Sequence, residues 1–383
     1  MHLAEFDSAK FLQEHWQKRP LLIRNPWAEW HNPLEPDELA GLACEDAGVE
    51  SRLITRRAEG IVLESGPFPE SRFAQPETAP WTLLVQAVDH HVPEVAALIE
   101  PFRFVPDWRI DDVMVSYATD GGGVGAHFDQ YDVFLVQGLG QRRWRVGPRC
   151  DAGTPLLPHD DLRLIADFEA TCEWLLEPGD ILYVPPGFAH DGVAVGDDCM
   201  TYSIGFRAPS RADLVEGWAT HLADTMLEDD RYTDADLTLQ AHPGEISPAA
   251  LNRLLGMALS ALADEAAFAR WFGAHSSLPK YADADWQPDA PIGQAKVQAL
   301  LARGGSISRN PASRFAFIRQ EGQALCLFVD GHSFDCTGDA ATVAELVCAN
   351  TNLIIDPHLA TSNRVAALIA ALVDQGSLAF DEV

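Results

Sequence analysis

The middle of the chain is written in short apolar runs punctuated by glycine and proline. Strands are expected over 112–117, 131–136, 142–146, 172–176, 180–184 and 200–206. Many short strands with such punctuation predict an all-β barrel or sandwich. The segment before it is mixed. Pro20 cannot sit inside a helix, so Leu21-Leu22-Ile23 is expected as a strand. Pro36 opens a short helix with Asp37 and Glu38 in its first turn. The alternation over 51–64 holds two strands around the turn Ala58-Glu59-Gly60, a helix is expected over about 81–91, and Pro93 opens another. His90 and His91 are adjacent and face different sides, so they are expected to be structural or surface groups.

After Arg207 the period changes. Ser210 to Asp213 reads as a capping box, and Leu214, Trp218, Leu222 and Met226 recur every four residues up to the acids 228–230. Ser247-Pro248 starts a second helix whose stripe of Leu251, Leu254, Leu255, Ala258, Leu259 and Leu262 continues to Phe268 and Trp271. That is more apolar surface than a helix pair hides, so an oligomer interface is expected. A Pro- and Asp-rich linker covers about 276–291. Strands over 315–318 and 324–329, helices over 341–349 and 362–374, a C-cap Gly376 and a last strand over 377–380 form a small α+β unit whose order permits a winged helix.

At 383 residues the chain is long enough for two or three domains, expected at 1–208, 209–276 and 277–383. Seven cysteines with no CxxC pair suggest reduced thiols in a cytosol, which points to a cytoplasmic protein. No apolar run is long enough to span a membrane, and the first residues lack a secretory pattern. The net charge of −30 repels phosphate backbones and attracts basic partners. Over 281–383 six Lys and Arg face twelve Asp and Glu, a net of −6, so direct DNA binding is not expected of the winged-helix-like unit.

The chemistry gathers in two signatures. His127 and Asp129 stand two apart after a glycine-rich turn, a spacing that along a β-strand aims both side chains to one face, and the pair is expected on a strand. Gly179, Pro185, Gly187 and His190 match the G-x5-P-x-G-x2-H spacing of cupin-type barrels, whose Pro-Gly corner returns a histidine to the barrel mouth. Two histidines and a carboxylate make the facial triad of non-haem iron oxygenases. A second H-x-D, His159-Asp160-Asp161, follows Pro158 in a loop-like stretch and reads as surface.

These motifs, with Gln141-Arg142-Arg143-Trp144-Arg145-Val146 and the run from Tyr202 to Pro209, resemble the Jumonji C branch of the 2-oxoglutarate oxygenases. More closely, the chain is similar to the bacterial ribosomal oxygenases, which hydroxylate an arginine of the sixteenth large-subunit ribosomal protein. The resemblance is best over residues 1 to about 208. It implies a double-stranded β-helix (jelly-roll or cupin) core, a helical dimerisation module and a C-terminal winged-helix-like domain, an α+β chain overall. It implies Fe(II) on His127, Asp129 and His190, with 2-oxoglutarate and O2 as cosubstrates and a basic ribosomal protein as substrate. The family position, together with the strand spacing, points to Arg142, two before Trp144, for the distal carboxylate of 2-oxoglutarate; Arg143 and Arg145 face the other side if the strand is regular. Ser116 and Thr201 match cosubstrate-binding positions, and Asp120 and Asp132 are candidate acids for the substrate. A Jumonji-type demethylase, another cupin metalloenzyme, and a non-catalytic metal-bearing protein that docks on a basic partner stay open as alternatives.

Overall fold

Two long strands, Asp132–Arg149 and Phe188–Phe206, pair antiparallel from Asp132↔Phe206 to Arg149↔Phe188. The rest of their unit is built around this ribbon. The computed structural model describes every residue except 1, 5, 46–47, 59, 75–78, 160, 228–229 and 382–383. The turn at Glu59, the expected helix end at Glu228-Asp229, and Asp160 therefore lie outside the described residues. The chain divides into two units, one of residues 1–208, 280–286 and 310–312, the other of 209–279, 287–309 and 313–383.

The strands of the first unit are β1 (Leu21–Ile23), β2 (Ser51–Arg57), β3 (Gly60–Ser65), β4 (Trp81–Val85), β5 (Ile110–Ala118), β6 (Asp132–Arg149), β7 (Cys172–Leu176), β8 (Ile181–Val184) and β9 (Phe188–Phe206). Its helices are α1 (Ser8–Glu14), α2 (Pro36–Cys44), α3 (Ser71–Ala74) and α4 (Pro93–Ala96). The sheet order is β1-β8-β6-β9-β5-β4-β2-β3, with β7 on the far half of β6. The register of β6 against β9 shifts between Gln137 and Gln141, where Gly140 has φ +59°. Bulges bend a strand, and here the bend lets the ribbon double back. Val133 and Leu135 from its first half then pack with Trp144 and Val146 from its second, together with Leu176, Leu182 and Val184. That cluster packs on the inward face of the ribbon.

The alternate residues face the other way, as period 2 requires. Phe134, Val136, Tyr183, Tyr202, Ile204 and Phe206 pack under the N-terminal helical layer, where Phe11 meets Tyr183 edge-on at 4.8 Å. At the start of β5, Asp112 accepts from Gln86 Nε2 at 2.7 Å and the Ala87 amide at 2.9 Å, and Asp89 accepts from the Val113 amide at 2.8 Å. Lys280 closes this acidic corner with Nζ 2.9 Å from Asp111 and 3.1 Å from Asp112.

The expected helix over 81–91 is instead the strand β4 and a 3-10 turn, Val88–His90. Trp81-Thr-Leu-Leu-Val pairs β2 on one side and β5 on the other, and four of its five side chains are buried. A short apolar run has no period that separates buried helix from buried strand, and pairing on both edges decides it. The strand expected to begin at Met200 begins at Phe188, and the two runs 131–136 and 142–146 are one strand.

The second unit holds α5 (Arg211–Thr225), α6 (Pro248–Leu262), α7 (Glu265–Ser276), α8 (Gln294–Ala302), α9 (Asp339–Ala349), α10 (Pro357–Ala360) and α11 (Asn363–Asp374). Its strands are β10 (Ser306–Arg309), β11 (Phe315–Arg319), β12 (Leu325–Val329), β13 (His332–Cys336), β14 (Asn352–Ile354) and β15 (Leu378–Phe380). They form two three-stranded sheets, β14-β10-β15 and β11-β12-β13. Ser210, Ser247 and Asp264 cap α5, α6 and α7 with their side-chain oxygens. Trp218 of α5 packs on Phe268 and Trp271 of α7 and donates to the Leu262 carbonyl at 3.1 Å. The α6 stripe contributes no buried residue, and Leu251, Leu254, Leu255, Leu259 and Leu262 all stay exposed. The helix α8 and the strand β10 were not expected from sequence. Only Val297 and Leu301 of α8 are buried, and β10 is the mostly polar run Ser-Ile-Ser-Arg.

Candidate metal centre

Residues 121–130 approach the barrel as an extended loop, not as part of a strand, and β6 begins only at Asp132. The glycines permit that approach. A Cβ on Gly123 would lie 2.3 Å from the Gly192 carbonyl oxygen of β9, and Gly125 has φ +106° with Leu164 against it. Arg56 pins the loop by donating from Nε to the Gly123 carbonyl at 3.2 Å. Its other end stands 3.9 Å from the buried Asp191 carboxylate, which Arg145 also grips. One two-residue bridge then joins the signatures: the His127 amide donates to the His190 carbonyl at 3.0 Å, and the His190 amide returns the bond at 2.8 Å. The Gly187 amide donates to the Asp129 carbonyl at 2.7 Å and fixes the third residue.

Both imidazoles are oriented by their own chain. His127 Nδ1 lies 2.8 Å from the Gly125 carbonyl and His190 Nδ1 lies 2.9 Å from the Phe188 carbonyl. A carbonyl can only accept, so each Nδ1 carries a proton, which in a neutral ring leaves Nε2 its lone pair. Asp129 Oδ2 stands 3.8 Å from His127 Nε2 and 3.6 Å from His190 Nε2, and ligand atoms of the three lie within 4.8 Å of one another. Two ligands about 2.1 Å from one ion stand at most about 4.2 Å apart, which spans both gaps to Asp129, and a small inward turn of the side chains closes the rest. Burial, helped by the neighbouring His127, pushes His190 down to about 4, so its ring is neutral near pH 7. Among the described residues no other group of three His, Cys, Asp or Glu side chains converges in this way.

Deeper in the barrel, Arg142 is 3 % exposed. Its Nε donates to Cys199 Sγ at 3.3 Å, its Nη2 is buried with no partner, and its guanidinium lies 5.8 Å from the Trp144 ring centre. No carboxylate pairs with it among the described residues. Leaving such a charge buried and unpaired costs several kcal/mol, on the order of the penalty for any desolvated ion. The donor set thus fits a pocket that takes an anion beside a metal. Arg143 is exposed near Glu173, and Arg145 turns to Asp191.

The remaining expected residues fall as follows. Ser116 and Thr201 are buried neighbours on β5 and β9: Ser116 Oγ donates to the Thr201 carbonyl at 3.4 Å, and Thr201 Oγ1 to Gln137 Oε1 at 3.2 Å. Asp120 is exposed at a turn and accepts from the Gly196 amide at 2.8 Å. Asp132 is fully buried and accepts from Tyr183 at 2.6 Å, Gln17 at 3.0 Å and Arg109 at 3.3 Å, so its carboxylate holds the barrel wall together. His90 is buried against the edge of Tyr281, and His159 Nδ1 accepts from the Asp161 and Leu162 amides within its own loop. Gln137 and Cys199 were missed. The only sequence signal for Gln137 is a polar residue on the inward face of an otherwise apolar strand.

The JmjC domain model matches residues 97–214, and the model of a ROXA-like winged helix matches 260–379. The chain belongs to the JmjC-domain ribosomal oxygenases. It is 38 % identical over 372 residues to the ribosomal protein uL16 3-hydroxylase of Escherichia coli K12, covering 97 % of each chain. Solved structures of YcfD, a ribosomal oxygenase of Escherichia coli, superpose over the whole of both chains. The complex with cobalt and 2-oxoglutarate gives a TM-score of 0.87 at 36 % identity, and that with cobalt and succinic acid 0.88 at 35 %. The fold is therefore the JmjC cupin barrel followed by a ROXA-like winged helix. Among the described residues no helix is long and apolar enough to cross a membrane.

Proposed function

We propose that this chain is an Fe(II)- and 2-oxoglutarate-dependent protein hydroxylase. In this reading it adds one oxygen to an arginine of ribosomal protein uL16 and releases succinate and CO2. The observation that carries the reading is a pair: three ligand atoms within 4.8 Å of one another, and a buried guanidinium without a counter-ion further into the same barrel. His127, Asp129 and His190 would hold the iron through Nε2, Oδ2 and Nε2. When bound, iron supplies the oxygen activation that couples decarboxylation of 2-oxoglutarate to hydroxylation.

The protein's own part is placement. The two Nδ1–carbonyl bonds keep both Nε2 lone pairs aimed inward. Arg142 binds the distal carboxylate of the cosubstrate as a charge-assisted donor. Leu135 and Trp144 of β6, the strand that carries Arg142, join Leu182 and Val184 of β8 in one buried apolar cluster. Ser116 and Thr201 shape the pocket wall from β5 and β9. The acidic chain steers a basic substrate by its long-range field; of the two candidate acids Asp120 is exposed and Asp132 is buried. The open leucine stripe of α6 is the face on which two copies would meet as a homodimer, and the enzyme would work in the cytoplasm without touching DNA.

The test is incubation with Fe(II), 2-oxoglutarate and isolated ribosomal proteins, followed by mass spectrometry. One protein, uL16, gains a single oxygen on arginine, and Asp129→Ala makes neither that product nor succinate. Turnover retained by Asp129→Ala, or an oxygen on no ribosomal protein, would overturn the reading.

A further inference from the structure

The buried guanidinium of Arg142 is held from behind by a sulfur. Cys199 is wholly buried, and its Sγ lies 3.3 Å from Arg142 Nε and 3.5 Å from Gln137 Nε2. Gln137 is itself tied at both ends: its Oε1 accepts from Thr201 Oγ1 at 3.2 Å, and its Nε2 also reaches the Leu139 carbonyl at 2.7 Å. A relay therefore runs from Thr201 through Gln137 to Cys199 and ends on the back of the guanidinium. At the front of that guanidinium, Nη2 is buried without a partner. Arg142 lies over Ala194 across the ribbon, and Ala118, Ala194 and Cys199 form a small cluster with little bulk of their own to brace a long side chain. An arginine has several rotatable bonds, and freezing one costs free energy unless a partner fixes it.

We propose that Cys199 is a positioning residue for the cosubstrate, fixing Arg142 through Nε so that Nη2 faces the carboxylate that enters the barrel. The proposal rests on the reading of Arg142 as the cosubstrate-binding cation. Sulfur is a weak acceptor, and it suits this place: it orients the guanidinium without competing, as a carboxylate would, for the charge the ligand must meet. Ser at this position keeps an acceptor of similar shape, and Ala removes it and leaves a buried N–H unsatisfied.

Binding of 2-oxoglutarate and of succinate to the Mn(II)-loaded full-length protein is measured by calorimetry without oxygen, alongside Mn(II) affinity and the steady-state constants. Cys199→Ala should weaken 2-oxoglutarate and succinate by about 5- to 30-fold, the range expected for one lost buried hydrogen bond. Mn(II) affinity should stay within about twofold, and the kinetic loss should sit in KM rather than kcat. Cys199→Ser should recover most of the affinity. In the double variant with Arg142→Ala, the Cys199 change should add nothing, because the two act as one unit. An unchanged 2-oxoglutarate Kd in Cys199→Ala, with Arg142→Ala strongly impaired, overturns the proposal and leaves the Arg142 assignment standing. An unchanged Kd in Arg142→Ala removes the assignment itself. Equal losses of metal and cosubstrate in both Cys199 variants would mark Cys199 as packing only and likewise overturn the proposal.

Discussion

Each iron-ligand candidate sits in a short local pattern, and this made the three legible. A two-residue spacing and a Pro-Gly corner are local facts that sequence records directly, and the structure brings those three side chains to one point. What sequence does not record is which residues meet across strands. Cys199 and Arg142 are 57 positions apart, and Gln137 and Cys199 are 62 apart; the bend at Gly140 creates their contact. Buried carboxylates were equally hidden. Burial, reinforced by nearby Asp112, pushes Asp89 up to about 8. In the unfolded chain it would titrate near 3.9. Between those values the folded state holds a proton that the unfolded state has lost, so stability falls as pH rises from about 4 to about 8, by at most about 1.4 kcal/mol per pH unit. Asp89→Asn keeps an oxygen for the Val113 amide and has no proton to lose. Urea unfolding at pH 5, 6, 7 and 8 should show a flatter decline in the variant; parallel slopes would place the pH dependence elsewhere.

For whole elements, legibility depended on length and period. The four-residue repeat of α5 and the capped start of α6 were plain because a long amphipathic helix writes its period many times. The strand β4 was misread because five residues write no period at all, and the information lies in β2 and β5 on either side. Short β10 and weakly amphipathic α8 were passed over for the same reason. The exposure of α6 leads to a test. Leu255→Asp with Leu259→Asp alters residues that are 56 % and 54 % exposed, so the fold should tolerate it. If α6 is the meeting face of two copies, sedimentation should show a monomer where the parent chain is a dimer. Equal sedimentation of the two chains would remove α6 from the interface.

For the molecule as a whole, the charge of −30 is a long-range field and not part of the fold. It acts on encounter with a basic protein and hardly at all on a small dianion already inside the barrel. Raising salt from about 50 to about 500 mM shortens the Debye length from about 14 to about 4 Å. The kcat/KM for the protein substrate should then fall several-fold while the KM for 2-oxoglutarate changes little. A matching response in both constants would mean that the charge steers nothing.

The register of the long ribbon has one more result. Val146 lies opposite His190 and Arg142 opposite Ala194, with no slip between them. Four residues of strand set the metal-ligand level and the guanidinium level about 13 Å apart along the backbone. Both side chains reach inward from fixed rungs of one ladder, so the gap they leave is a ruler whose length cannot drift. A five-carbon keto diacid fits one spacing only. Oxaloacetate, one carbon shorter, and 2-oxoadipate, one longer, should each support turnover at least about tenfold less well at equal concentration, as an equivalent loss of about 1.4 kcal/mol would give. Equal use of all three would show that the ribbon yields to its ligand.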